Sequence, residues 1–63
     1  MKDRRLVLRA EEVAEELGIG RWKVYEMMAT GELPTIRIGR LVRVPRAALE
    51  RWIEERTSTG QAA

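Results

Sequence analysis

Apolar residues recur along this chain at two spacings, and the spacings divide it into elements. Ala10, Val13, Ala14 and Leu17 follow the i, i+3, i+4, i+7 rhythm of one helical face, with glutamates between them. Val24, Met27 and Met28 begin a second stripe, on a helix from Arg21 to about Thr30. Ala48, Leu49, Trp52 and Ile53 give a third, on a helix that has Pro45 at its first position and ends near Arg56. Trp52, on that stripe, is expected in the core. Between the second and third stripes the rhythm changes to alternation, and residues 35–44 read as a hairpin around Gly39-Arg40. Leu6 and Leu8 alternate with Val7 and Arg9, which suggests a short extended lead-in that covers the core.

Glycine and proline punctuate these elements. Gly18 is the expected left-handed stop of the first helix, and Gly31, followed by Pro34, ends the second. Ile19 is expected to plug the angle between the two helices. Gly20 takes the N-cap of the second helix, where it leaves bare amide groups that could approach a phosphate. Arg9 is a poor N-cap for the first helix, whose start is therefore placed only to within two residues. The hairpin admits two registers. A two-residue Gly39-Arg40 loop pairs Ile38 with Leu41 and Ile36 with Arg43, mixing apolar and charged groups. A three-residue loop pairs Ile38 with Val42, Ile36 with Val44 and Arg37 with Arg43, gathering four branched apolar residues on one face. Core burial favours the second.

The expected architecture is mainly α with a small β-hairpin: helix, short glycine turn, helix, hairpin, helix. Residues 1–56 form one domain, with 1–5 loose and 57–63 a flexible tail. The chain has 63 residues and neither cysteine nor histidine. Disulfides and the usual zinc sites are thus excluded, and apolar packing alone must hold one thin core, giving a net stability of about 3–5 kcal/mol.

Charge is segregated along these elements. Residues 1–9 carry +3, the first helix −4 through Glu11, Glu12, Glu15 and Glu16, residues 20–45 +3, and residues 46–56 zero. An acidic helix set against a basic helix start and a basic hairpin suggests an oriented polyanion as partner; a mixed solvated surface is the bland alternative. No apolar run approaches membrane-spanning length and no signal-peptide core follows the basic start, so no membrane partner and a cytoplasmic location are expected.

Catalysis is poorly provided for. The chain has one aspartate and one serine, and no nucleophile has a nearby base. Gly18-Ile19-Gly20 lacks the preceding strand and third glycine of a dinucleotide-binding loop. We therefore expect a non-enzyme without catalytic residues, metal ligands, cofactor or small-molecule substrate.

The second helix is unusual on its outward side. Trp22, Glu26 and Ala29 lie opposite the apolar stripe, with Arg21 and Tyr25 on one flank and Lys23 on the other. These groups can stack, touch a thymine methyl or neutralise a phosphate. Tyr25 is equally well placed to pack against the hairpin. Arg37 and Arg43, with Arg40 at the tip, suit a phosphate backbone or a minor groove, or simply a solubilising sheet face. A rival reading makes Trp22, Tyr25 and Ala29 an apolar docking patch for another protein.

Several motifs occur in order: 8–19 (LRAEEVAEELGI), Val24-Tyr25, Gly31-Glu32-Leu33-Pro34, Arg37-Ile38-Gly39-Arg40, Val44-Pro45-Arg46 and Ala48-Leu49. Together they resemble the excisionase-type, MerR-like winged helix-turn-helix domain over about residues 6–55. The resemblance implies three helices and a two-stranded wing, with helix 21–30 in the major groove of double-stranded DNA and hairpin 35–44 on the flanking backbone or minor groove. It implies an excisionase (a recombination directionality factor) or a small transcriptional regulator, partnered by further copies of itself on DNA or by an integrase. Carried onto this sequence, Trp22 and Glu26 would read bases. Gly20, Arg21, Lys23 and Tyr25 would lie on the sugar–phosphate edge, and Arg37, Arg40 and Arg43 would serve as wing contacts. The family pattern usually has Ser or Thr at position 20 and a polar or basic residue at position 22; glycine and tryptophan stand there in this chain. Tryptophan cannot make the bidentate bonds that fix a base identity.

Overall fold

The computed structural model describes residues 5–60, with side chains through Thr57. Residues 1–4 of the expected loose start and 61–63 of the expected tail lie outside the described residues. The element order is β1 (Val7–Leu8), α1 (Ala10–Leu17), α2 (Arg21–Thr30), β2 (Ile36–Ile38), β3 (Leu41–Pro45) and α3 (Arg46–Gly60). The strands form one antiparallel sheet in the order β1-β3-β2. The lead-in before α1 is thus a third strand, which pairs Val7 with Pro45 and Leu8 with Val44.

Nine apolar side chains make the core: Leu8 from β1; Ala10, Val13 and Ala14 from α1; Val24 and Met27 from α2; Leu33 from the α2–β2 loop; Val44 from β3; and Leu49 from α3. The stripes of α1 and α2 face it as their spacing predicts. Leu17, Met28 and Trp52 pack around its rim. Trp52 is half-buried rather than central because its indole Nε1 donates to the Glu32 carbonyl at 2.9 Å, which holds the ring at the surface of the α2–β2 loop. Of the lead-in, only Leu8 covers the core; Leu6 is 84% exposed.

Two glycines turn the chain. Gly18 adopts φ +72° and Gly31 φ +84°, both in the left-handed region that a side chain disfavours. At the first, the Gly18 and Ile19 amides both donate to the Ala14 carbonyl, at 2.8 and 3.0 Å. Ile19 itself does not plug the helix angle but stays exposed, since packing between the helices is already completed by Val13, Ala14 and Val24. Arg9 does precede α1. What its own side chain lacks as a cap is supplied by Glu12, whose Oε1 accepts the Arg9 amide at 2.8 Å, half of a capping box.

The hairpin takes the register that the burial argument rejected. Ile38 pairs with Leu41, Arg37 with Val42 and Ile36 with Arg43 across a two-residue Gly39-Arg40 turn. Gly39 has φ +64°, whereas Arg40 keeps a negative φ, the pattern of a type II′ turn with glycine first. The expectation failed because the hairpin projects from the core. Ile36, Ile38 and Leu41 are 41%, 49% and 52% exposed, and Val44 is the one residue of either strand that is fully buried. With little apolar area to gain in either register, turn geometry decides. Arg37 and Arg43 accordingly do not oppose one another.

Pro45 closes β3 instead of opening α3, which starts one residue later; the Arg46 amide donates to the Leu6 carbonyl at 2.7 Å. The helix also runs beyond Arg56 to Gly60. Thr57 is accommodated because its hydroxyl donates back to the Ile53 carbonyl at 2.7 Å.

Leu8 and Leu6 offer a direct check of this packing. Leu8→Ala should lower the unfolding free energy by about 2–4 kcal/mol, most of what so small a core supplies, as measured by urea denaturation. Leu6→Ala should stay within about 0.5 kcal/mol of the parent.

Candidate nucleic-acid interface

The candidate residues fall on α2 and on the β2–β3 hairpin, which border a common open groove. Gly20 caps α2 with an extended backbone, and its carbonyl accepts the Lys23 amide at 3.1 Å. Beyond its two chain neighbours, no protein atom lies within 4 Å of where a Cβ would be, so this helix end is open to close approach. Val24 and Met27 turn inward, which leaves Arg21, Trp22, Lys23, Tyr25 and Glu26 all exposed.

Trp22 is 74% exposed, too open for a core residue. It is not unsupported. Its ring lies 5.6 Å from that of Tyr25, tilted by 46°, and the Arg21 guanidinium carbon stands 5.6 Å from the indole centroid. Guanidinium, indole and phenol therefore form a contiguous cluster along the first turns of α2. Lys23 and Glu26 pair at 3.8 Å on the same helix.

Tyr25 does not simply pack on the hairpin. Its hydroxyl donates to Glu11 Oε2 at 2.5 Å, bridging α2 to the first turn of α1. This bond holds the Glu11 carboxyl below its usual pKa, with the nearby Arg9 and Arg21 charges adding to the effect, and pushes the Tyr25 phenol up. Glu12 is lowered as well, first by the hydrogen bond from the Arg9 amide and then by the charges of Arg5, Arg9 and Arg43.

Between α1, α2 and the wing runs an open groove of about 520 Å³, lined among others by Arg9, Glu11, Tyr25, Thr35, Arg37 and Arg43. Arg43 turns its Nη1 onto the Val42 carbonyl at 3.0 Å, which fixes the guanidinium beside the groove. Arg37 and Arg43 thus both line this groove from diagonal, unpaired positions of β2 and β3, rather than as a facing pair on one sheet face. Arg40 stands apart at the exposed wing tip. Three contributors were not singled out from the sequence. Arg9 was weighed only as a cap, Thr35 only as the hairpin start, and Glu11 only as one of several helix glutamates. Their convergence depends on how α1 crosses the wing, and sequence spacing carries no signal of that.

Helix, tight glycine turn, helix and flanking wing, with arginines and stacked aromatics on one side, define a winged helix-turn-helix module of the DNA-binding class. The chain belongs to the helix-turn-helix domain family, whose model matches residues 7–57. A probable excisionase from Saccharopolyspora erythraea is 50% identical over 46 residues, covering 73% of this chain and 47% of that protein. The chain spans about half the length of this curated relative. No solved structure matches it. Among the described residues no helix is long and apolar enough to cross a membrane.

The Tyr25–Glu11 bond has a measurable signature. In Tyr25→Phe the Glu11 carboxyl pKa should rise toward its ordinary value, as followed by NMR titration of the side chain. In the parent, both Glu11 and Glu12 are lowered by folding, so their stabilisation is present above the usual carboxylate range and lost as pH falls through their folded values. The raised phenol acts oppositely: its contribution is complete below the usual tyrosine range and lost as pH climbs through the folded value.

Proposed function

We propose that this chain binds double-stranded DNA with α2 in the major groove and the β2–β3 wing against the flanking backbone or minor groove, acting as an excisionase or a small transcriptional regulator. One observation carries the reading: Arg9, Arg37 and Arg43 line the same groove as Tyr25 of α2, so a phosphate backbone following α2 meets three guanidinium groups. The resemblance to a probable excisionase supports the biological role.

In this reading Trp22 and Glu26 face base edges, and Trp22 offers apolar contact to a thymine methyl. Gly20, Arg21, Lys23 and Tyr25 follow the sugar–phosphate edge; Arg37 and Arg43 hold the backbone, and Arg40 reaches from the wing tip. The protein works by binding alone, in the cytoplasm, without a catalytic step of its own. A single such module buries about 600–1,000 Å² on DNA, a modest interface. Tight occupancy then calls for further copies on neighbouring sites or an integrase held alongside.

The test is a titration with random-sequence duplex at two salt concentrations, followed by tryptophan fluorescence against a Trp22→Phe control. Binding should weaken by about 0.9 log units per neutralised phosphate for each tenfold rise in salt, and Trp22 emission should be quenched. Arg37→Ala and Arg43→Ala should each weaken binding across all sequences and lower that slope by about one unit. Absence of binding at low salt, or salt-insensitive binding of a protein partner that only Trp22→Ala removes, would overturn the reading.

A further inference from the structure

The groove that suits a phosphate backbone already contains an anion. Glu11 lines it together with Arg9, Arg37 and Arg43 and is the one acidic side chain among the described residues of its walls, while Glu12, outside the lining, pairs with Arg9 at 3.9 Å. Glu11 is not a loosely held helix glutamate, because its Oε2 accepts the Tyr25 hydroxyl at 2.5 Å. Tyr25 in turn leans on Trp22, whose ring is flanked by Arg21. A carboxylate is thus pinned where α1, α2 and the wing converge. A bound phosphate would share the groove with a negative charge that cannot swing away unless the phenol is released.

Resting on the DNA-binding reading above, we propose that Glu11 sets the strength of backbone binding: its pinned carboxylate acts as a resident counter-charge that holds down the sequence-independent affinity for the phosphate backbone in this groove. The physical reason is an asymmetry between the two kinds of contact. Non-specific binding draws nearly all its free energy from cations meeting phosphates, so a fixed anion among those cations weakens it directly. Contacts of Trp22 and Glu26 with base edges lie on the outward side of α2 and are not opposed by it. The carboxylate therefore subtracts from what every duplex shares and leaves what one sequence offers. Glu11 also occupies the phenol's single proton, so Tyr25 presents only oxygen lone pairs. It can accept a hydrogen bond from a base amino group or an arginine, and it cannot donate one to a phosphate while the pair is intact.

Charge and hydrogen bond can be separated by substitution. Glu11→Gln keeps an oxygen acceptor for Tyr25 and removes the charge. Glu11→Asp keeps the charge and shortens the reach. Glu54→Gln, on α3 and away from the groove, makes the same change in net charge. Each variant is first checked for parental thermal unfolding, then titrated with random-sequence duplex at about 50 mM and about 200 mM salt. Glu11→Gln should bind about two- to fivefold more tightly at the lower salt, with a steeper salt dependence, as expected for loss of a like charge within a Debye length of the phosphates. Glu11→Asp and Glu54→Gln should stay close to the parent. Parental or weaker binding by Glu11→Gln would overturn the proposal and leave the DNA-binding reading standing. Equal tightening in Glu11→Gln and Glu54→Gln would overturn it too, since net charge alone would then suffice. Absence of binding by parent and variants alike would instead sink the DNA-binding reading, and the inference with it.

Discussion

Every element of this small protein except β2 places at least one side chain in a single layer of nine buried apolar residues, and in a sequence without cysteine no disulfide relieves that layer of its task. Packing so thin leaves no redundancy. Leu8, Val44 and Leu49 meet from two strands and a helix, and the removal of any of them opens the layer to water. Where apolar area runs short, backbone hydrogen bonds take over. The Gly18 and Ile19 amides share one carbonyl to turn the chain between helices, and the Arg46 amide fastens the start of α3 to the residue before β1. Arg46 reinforces this closure with its side chain, which donates from Nε to the Arg5 carbonyl at 2.8 Å and meets Glu16 at 3.4 Å.

The wing stands outside this arrangement, and that frees it for function. β2 buries nothing, so its residues answer to hydrogen bonding with β3 and to whatever approaches from outside. The same holds on the outer side of α2. There Val24 and Met27 anchor the helix, while Arg21, Trp22 and Tyr25 lean on one another, not on the core. The interface is thus made from side chains the fold does not need. Glu11 is the exception, since it belongs to α1 and reaches across to order the phenol.

Much of this was legible from the amino-acid order. The spans of α1 and α2, both glycine stops and the exposed side of α2 follow from stripes three and four residues apart, a signal that local geometry preserves. What was misread depends on distance through space. The hairpin register was inferred from burial, and burial failed because nothing in the chain announces that residues 36–41 project from the core. Leu33, alone between Glu32 and Pro34, gave no periodic clue that it would be fully buried. Trp52 lay on an apolar stripe, yet its indole N–H required a polar partner and drew it outward. The α3 terminus was placed too early because the apolar stripe stops before residue 57, and the hydroxyl bond that suits Thr57 to a helix leaves no periodic trace. The groove residues Arg9 and Glu11 were visible only as a cap and a charge.

The outer edge of β2 has a consequence of another kind. Its strand of three residues leaves unpaired backbone groups at the margin of the sheet, with exposed Ile36 and Ile38 on either side of Arg37. Such an edge invites a second molecule to add its own strand. If two copies met there antiparallel about their centres, Arg37 would face Arg37, and the repulsion of like guanidinium charges would oppose the union. The arginine that suits this wing to a polyanion is thus also a guard against self-aggregation, and it protects best when the chain is alone in water.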